Sequence, residues 1–178
     1  MNALVFIVKT LLNLALFVFL LRLLLQWVRA DFRNPVSQAI VRLTNPLVMP
    51  LRRILPPVGK IDTASVLAVL IVAFVGTGIM LALQFLDVPP VLFWLRLTLL
   101  GIVRSILWTY FYAILLYALL SLIAPGGGYS PVQSVLVSLC EPILRPIRRL
   151  IPPIAGLDLS PLWAGIAIQA FLILLHSA

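Results

Sequence analysis

Cysteine occurs once in the 178 residues, at Cys140, and histidine once, at His176. A single thiol forms no internal disulfide, no CxxC redox pair and no cysteine-rich metal cluster, so Cys140 reads as a small packed apolar side chain. One histidine makes no His cluster, and the lack of CxxCH excludes covalent haem attachment. Charge is scarce as well. Asp, Glu, Lys and Arg make up 10% of the chain, against roughly a quarter in a soluble domain. The five acidic residues are Asp31, Asp62, Asp87, Glu141 and Asp158, and none lies within an apolar run, which argues against an intramembrane proton relay. No Walker loop or GxSxG elbow occurs, and Gly126-Gly127-Gly128 after a proline reads as a flexible turn. The expectation is a protein that is not an enzyme and carries no cofactor or metal.

What fills the sequence is hydrocarbon: 63% of residues are apolar, and the remaining charge is lopsided, 13 basic residues against five acidic for a net +8. The basic residues sit in and beside long apolar runs, which points to anionic lipid rather than nucleic acid as the partner of that charge. About 20 helical residues cross a hydrocarbon core, and on that ruler four spans emerge at 3–27, 64–86, 102–123 and 160–177. The first is too long for a signal core and lacks a small-x-small cleavage site before Arg29. The third run begins back at Val91, and Arg96 with Gly101 favours a break, leaving 91–100 as either a separate interfacial helix or part of the span. Arg29, Arg33, Arg42, Arg52, Arg53 and Lys60 follow the first span, and Arg145, Arg148 and Arg149 follow the third. The positive-inside rule puts both of these loops in the cytoplasm and both termini outside.

The chain repeats itself. Residues 45–62 read NPLVMPLRRILPPVGKID and residues 141–158 read EPILRPIRRLIPPIAGLD, and the spacing of 96 residues also aligns Pro35-Val36 with Pro131-Val132. Seven of these eighteen positions are identical and seven more exchange one aliphatic residue for another. Each copy holds two spans, so the copies, residues 1–88 and 89–178, are expected to share one orientation as parallel repeats. Within each copy an amphipathic stripe precedes the arginines: Val36, Ile40, Leu43, Leu47 and Leu51, then Val132, Leu136, Leu139, Ile143 and Ile147. Ser37, Gln38 and Arg42, or Gln133, Ser134, Ser138 and Glu141, fall on the opposite faces. Pro46 and Pro50, and Pro142 and Pro146, each remove a backbone donor. A kink or a new helical start is expected near Asn45 and Glu141, with a stop at Pro56-Pro57 and Pro152-Pro153. The predicted fold class is an all-α membrane protein with four transmembrane helices, each repeat a hairpin carrying an interfacial, proline-kinked segment on the cytoplasmic side.

Arg52-Arg53 and Arg148-Arg149, with Arg42 and Arg145 nearby, form the candidate binding surface. They serve either as a clamp for anionic headgroups or as topological signals at a helix C-terminus. Asp62 and Asp158 either cap the helices that follow, pair with their own arginine doublets and lock the loop, or hold a cation; Ser160-Pro161 adds a second start signal. Arg22 and Arg104 lie within apolar runs but close to span ends, where snorkelling to the interface is easy. Trp27, Trp94 and Trp163 fit interfacial anchors. Gly76 and Gly78 permit close helix contact without making a GxxxG pair.

The paired segments DFRNPVSQ, NPLVMPLRRILPP and ID, then YSPVQS, EPILRPIRRLIPP and LDLSP, resemble the two repeats of the YggT family of small bacterial integral membrane proteins. The first copy departs from the pattern, with Thr63-Ala64-Ser65 after its aspartate where the second has Leu159-Ser160-Pro161. The resemblance implies an inner-membrane location, no established enzymatic activity, and a link to osmotic or potassium homeostasis. Single-repeat relatives of cyanobacteria and plastids imply roles around the nucleoid, division or cytochrome b6 haem maturation; for this chain that would mean assisting a partner. Two functions remain open: a scaffold or assembly factor binding membrane lipids, a membrane-protein partner or a second copy of itself, and a component of potassium transport or osmotic-stress response.

Overall fold

Helix boundaries follow the caps and prolines. The computed structural model describes residues 3–57, 62–84, 89–123, 130–151 and 158–177. Among these residues there is no strand, and six helices occur: α1 (Ala3–Trp27), α2 (Pro35–Ile54), α3 (Thr63–Gln84), α4 (Val91–Ile123), α5 (Pro131–Leu150) and α6 (Ser160–Ser177). α1 closes in a Schellman turn, with Ala30 N–H bonded to the Leu25 carbonyl and Arg29 N–H to that of Gln26. Arg29 takes the left-handed conformation this requires, φ 54°, where glycine is usual. Asn34 then caps α2 by accepting from Val36 N–H at 2.8 Å, with Pro35 in the first turn where its missing donor costs nothing. At α6 the expected cap shifts. Asp158 Oδ1 accepts from Ser160 N–H at 2.9 Å, whereas the Ser160 hydroxyl is buried without a partner among the described residues.

Two corrections concern continuity. α4 runs without a break from Val91 to Ile123, 33 residues, so 91–100 is not a separate helix. Tertiary packing overrides the local signals: Trp94 stacks on Phe74 of α3 with ring centroids 4.2 Å apart and donates from Nε1 to the Phe74 carbonyl at 3.0 Å. Trp94 thereby ties the first turn of α4 to α3. The second correction is at the prolines, where α2 and α5 continue through Pro46, Pro50, Pro142 and Pro146 with no new start at Asn45 or Glu141. All four prolines are exposed; spaced four apart, they place their ring clashes and missing donors on one outward side. α2 ends as expected, with extended Leu55 before the exposed Pro56-Pro57; Pro152 and Pro153 lie outside the described residues.

α1 and α4 lie side by side at the centre. α1 packs on α2 and α3, α4 on α5 and α6, and further contacts of α3 with α4 and of α2 with α5 join the two halves. Leu16 and Leu20 of α1 meet Val69 and Ala73 of α3, while Ala113 and Ile114 of α4 meet Leu139, Cys140, Ala164 and Ile168. The outside is as apolar as the inside. Leu4, Phe6, Leu122, Ile173 and Leu174 are more than half exposed, an arrangement water disfavours and lipid accepts. α1, α3 and α4 are long and apolar enough to cross a bilayer, and α6 is apolar but shorter. The protein is a helical membrane protein.

Gly78 faces the Trp94 ring so closely that an added Cβ would overlap it, whereas one on Gly76 would meet Leu12 at an ordinary 3.7 Å. Gly78→Ala is therefore expected to lower the melting temperature by several degrees in a detergent thermal-shift assay, and Gly76→Ala to leave it unchanged or higher. Equal behaviour of the two variants would contradict the stacked contact.

Candidate functional site at the two arginine–aspartate clasps

Each amphipathic helix ends in an arginine doublet and each following helix begins at an aspartate. In the first half, Arg52 Nε donates to Asp62 Oδ1 and Oδ2 at 3.3 and 3.1 Å, and Nη2 closes on Oδ2. Ser65 Oγ donates to the same Oδ2 at 2.7 Å. The Asp62 carbonyl also takes the Val66 N–H, making Asp62 the N-cap of α3. The Asp62 side chain is 2% exposed and that of Arg52 48%, so the carboxylate is the buried partner and the guanidinium its link to water. Burial alone would raise the Asp62 carboxyl, but the Arg52 and Ser65 hydrogen bonds and the nearby guanidinium charges outweigh it and hold the group below the usual carboxylate range.

The second clasp adds two partners. Arg148 donates from Nε to Asp158 Oδ2 at 2.8 Å, from Nη1 to Glu141 Oε2 at 2.9 Å and from Nη2 to the Tyr117 hydroxyl of α4 at 2.9 Å. Burial again works to raise Asp158, and hydrogen bonds from Ser160 and Arg148 pull it below its ordinary value. Arg148 is held above the usual range for a guanidinium: burial opposes its charge, but bonding to Asp158 and Tyr117 prevails. Of the three readings of the aspartates, capping and pairing are both present in the geometry. Among the described residues no group of acidic, histidine or cysteine side chains could hold a metal. Cys140 is fully buried, and burial pushes its thiol up to about 12, so it packs as an inert apolar group.

Arg22 does not snorkel. It is 4% exposed, and Nη1 donates to Thr44 Oγ1 at 2.7 Å, Asn45 Oδ1 at 3.0 Å and the Val41 carbonyl at 3.4 Å, tying α1 to α2. The equivalent residue 96 positions on is Ala118, and there Tyr117 makes the corresponding tie from α4 to α5. Sequence reasoning missed this network, and the only signal was the pair Thr44-Asn45 on the inner face of α2. Arg104 belongs to neither clasp; its Nη2 reaches the Leu175 carbonyl of α6 at 3.4 Å.

The arginines divide by helical phase. Arg42, Arg53, Arg145 and Arg149 are exposed and form no hydrogen bond or ion pair with a described residue. Residues 42 and 53 share one face of α2, and 145 and 149 one face of α5, because eleven and four residues are near-whole numbers of turns. Buried Ile40, Thr44 and Val48 hold the opposite face of α2. The buried stripe is thus rotated from the predicted one: Leu43 is 68% exposed and Ser37 fully buried. Lys60 lies outside the described residues.

Compared with known proteins, residues 1–84 and 96–178 each match the family described as CCB3/YggT. The chain belongs to the YggT family. It is 39% identical to the protein YggT of Escherichia coli (strain K12) over 91% of this chain and 83% of that protein. A Pseudomonas aeruginosa relative is 41% identical over 94% of this chain and 85% of its own length. A third, from Vibrio alginolyticus, is 40% identical over 95% and 91%. These relatives carry the description "uncharacterized". No solved structure matches the chain.

In this YggT-family chain the doublets are expected to act unequally. Arg52→Gln and Arg148→Gln leave a carboxylate short of its partner and should each lower the melting temperature by several degrees; Arg53→Gln and Arg149→Gln should not move it measurably. The acid limb checks the same pairs. Both aspartates ionise more easily folded than unfolded, so their stabilisation is complete above the unfolded value of about 3.9 and disappears as pH falls through the folded one. Melting temperature should stay level through neutral and mildly acidic pH with respect to these groups and drop only below about pH 4, a drop that Asp62→Asn with Asp158→Asn reduces.

Proposed function

We propose that this protein is a non-enzymatic inner-membrane scaffold or assembly factor whose two basic amphipathic helices bind anionic lipid headgroups, presenting a fixed surface to a membrane-protein partner. The observation that carries this reading is the outward set Arg42, Arg53, Arg145 and Arg149, exposed on two equivalent helices that internal clasps hold in place. A guanidinium without an internal partner is free to take a phosphate oxygen pair, and each such residue near an anionic leaflet contributes about 1 kcal/mol. Exposed Leu43, Met49, Ile54 and Leu150 on the same helices give acyl chains a surface to cover beside the arginines, as in an amphipathic helix lying at the interface.

The proposed topology has α1, α3, α4 and α6 crossing the bilayer, with α2 and α5 on the cytoplasmic surface and both termini in the periplasm. α6 spans about 27 Å, enough if its ends reach the headgroups. In this arrangement the repeats are parallel and the two basic faces share one leaflet.

Replacing the four outward arginines together by glutamine is expected to cut binding to phosphatidylglycerol liposomes about a hundredfold or more, with an unchanged melting temperature. Co-sedimentation across a salt series measures it. Unaltered binding would remove the headgroup role, and saturable potassium flux in proteoliposomes that mutations in the spans abolish would replace the scaffold reading with transport.

A further inference from the structure

The clasps occupy one end of the bundle, and a second group of polar side chains gathers at the other. Arg104 meets Leu175, fifteen residues and about 22 Å along α6 from Ser160. Lys9 stands thirteen residues, about 20 Å, from Arg22 along α1. Two adjoining cavities lie along the α1–α4 seam, one of about 490 Å³ between these two helices and one of about 180 Å³ that α3 also lines, and Lys9, Asn13, Gly101 and Ser105 line both. Lys9 and Asn13 are one turn apart on α1, as are Gly101 and Ser105 on α4, so each helix turns one polar edge into the same space.

Three observations give this space a chemistry. Its lining carries two cations, Lys9 and Arg104, and no carboxylate. Arg104 Nε is buried with no hydrogen-bond partner among the described residues. At Gly101 an added Cβ would meet nothing within 4 Å, so the room beside the cations is unfilled by side chains. Lys9 is exposed and Arg104 half-buried beside apolar helices with no carboxylate in the lining, so an entering anion meets two unneutralised charges and supplies an acceptor for the unused Arg104 donor. Phe17 and Tyr112, 37% and 56% exposed, flank the larger cavity, which leaves it open sideways to acyl chains.

We propose that this cleft binds a phosphate group, with Lys9 and Arg104 as its charge partners and Asn13 and Ser105 as neutral donors. Tetrahedral phosphate offers several oxygens to donors on two helices at once, which a planar carboxylate does less well. The phosphate can be carried on a lipid or arrive as the free ion. This site is separate from the headgroup surface proposed above, at the opposite end of the bundle, and stands whether or not that surface binds lipid.

The test uses the full chain in phosphatidylcholine nanodiscs with or without phosphatidylglycerol, counting lipid retained by native mass spectrometry, and adds inorganic phosphate to the phosphatidylcholine discs in a thermal-shift arm. Lys9→Gln with Arg104→Gln removes the cations. Gly101→Leu fills the space and keeps every charge, and its melting temperature in phosphatidylcholine alone shows that it folds. Compared in a background with glutamine at residues 42, 53, 145 and 149, which removes the outward basic faces from the count, both variants should lose retained phosphatidylglycerol by about tenfold or more. Phosphate stabilisation of the unaltered protein, lost in both cleft variants without lipid retention, would assign the free ion as the source. Retention and phosphate shift that are both absent from the unaltered protein, or both unaffected by the two cleft variants, would overturn the proposal.

Discussion

In the first half a carboxylate nearly out of water and the guanidinium that keeps it ionised fix the geometry; in the second the same pair is partly open to solvent. Asp62 must accept hydrogen bonds where it lies, and Arg52 supplies them from the last turn of α2. The same contact ties the end of α2, where the prolines stop the helix, to Asp62 at the N-cap of α3. With so few acidic residues in the chain, the use of Asp62, Glu141 and Asp158 in the two clasps leaves little negative charge to neutralise the remaining arginines. The outward basic faces are therefore a by-product of how the inner ones are satisfied.

The duplicated halves solve one problem with different atoms. In the first, the arginine is on the span: Arg22 reaches across to Thr44 and Asn45 of the amphipathic helix. In the second, Arg148 is on the amphipathic helix and reaches Tyr117 on the span, with Glu141 occupying the place of Asn45. A buried cation among neutral acceptors has been exchanged for a partly exposed one among anions. Both versions bind the same two helices at the same level, which is the property the duplication keeps.

Much of this was legible in the sequence, for physical reasons that also mark the limit. Length and hydropathy report on lipid directly, so the starts of α1 and α6 and the length of α3 came within a residue or two of the predicted spans. Gly101 and Arg96 gave a local cue to a break that the Trp94–Phe74 stack overrules, because a contact across twenty residues leaves no periodic trace. Pairing of each aspartate with its doublet was one of three open readings. Which arginine turns inward could have been read from phase, since successive residues are about 100° apart and Arg52 lies nearer the stripe of Ile40, Thr44 and Val48 than Arg53 does. The fate of Arg22 could not, because proximity to a span end suits both snorkelling and a bond to a neighbouring helix.

Asn34 joins what the duplication made separate. Its oxygen caps α2, while its amide nitrogen donates to the Pro131 carbonyl at the start of α5, at 2.8 Å. Ser130, its equivalent, makes no such side-chain cap. One side chain therefore pins the leading ends of both amphipathic helices together: tilting either one strains a bond belonging to the other, and the gene's two halves behave mechanically as a single lever with a shared pivot.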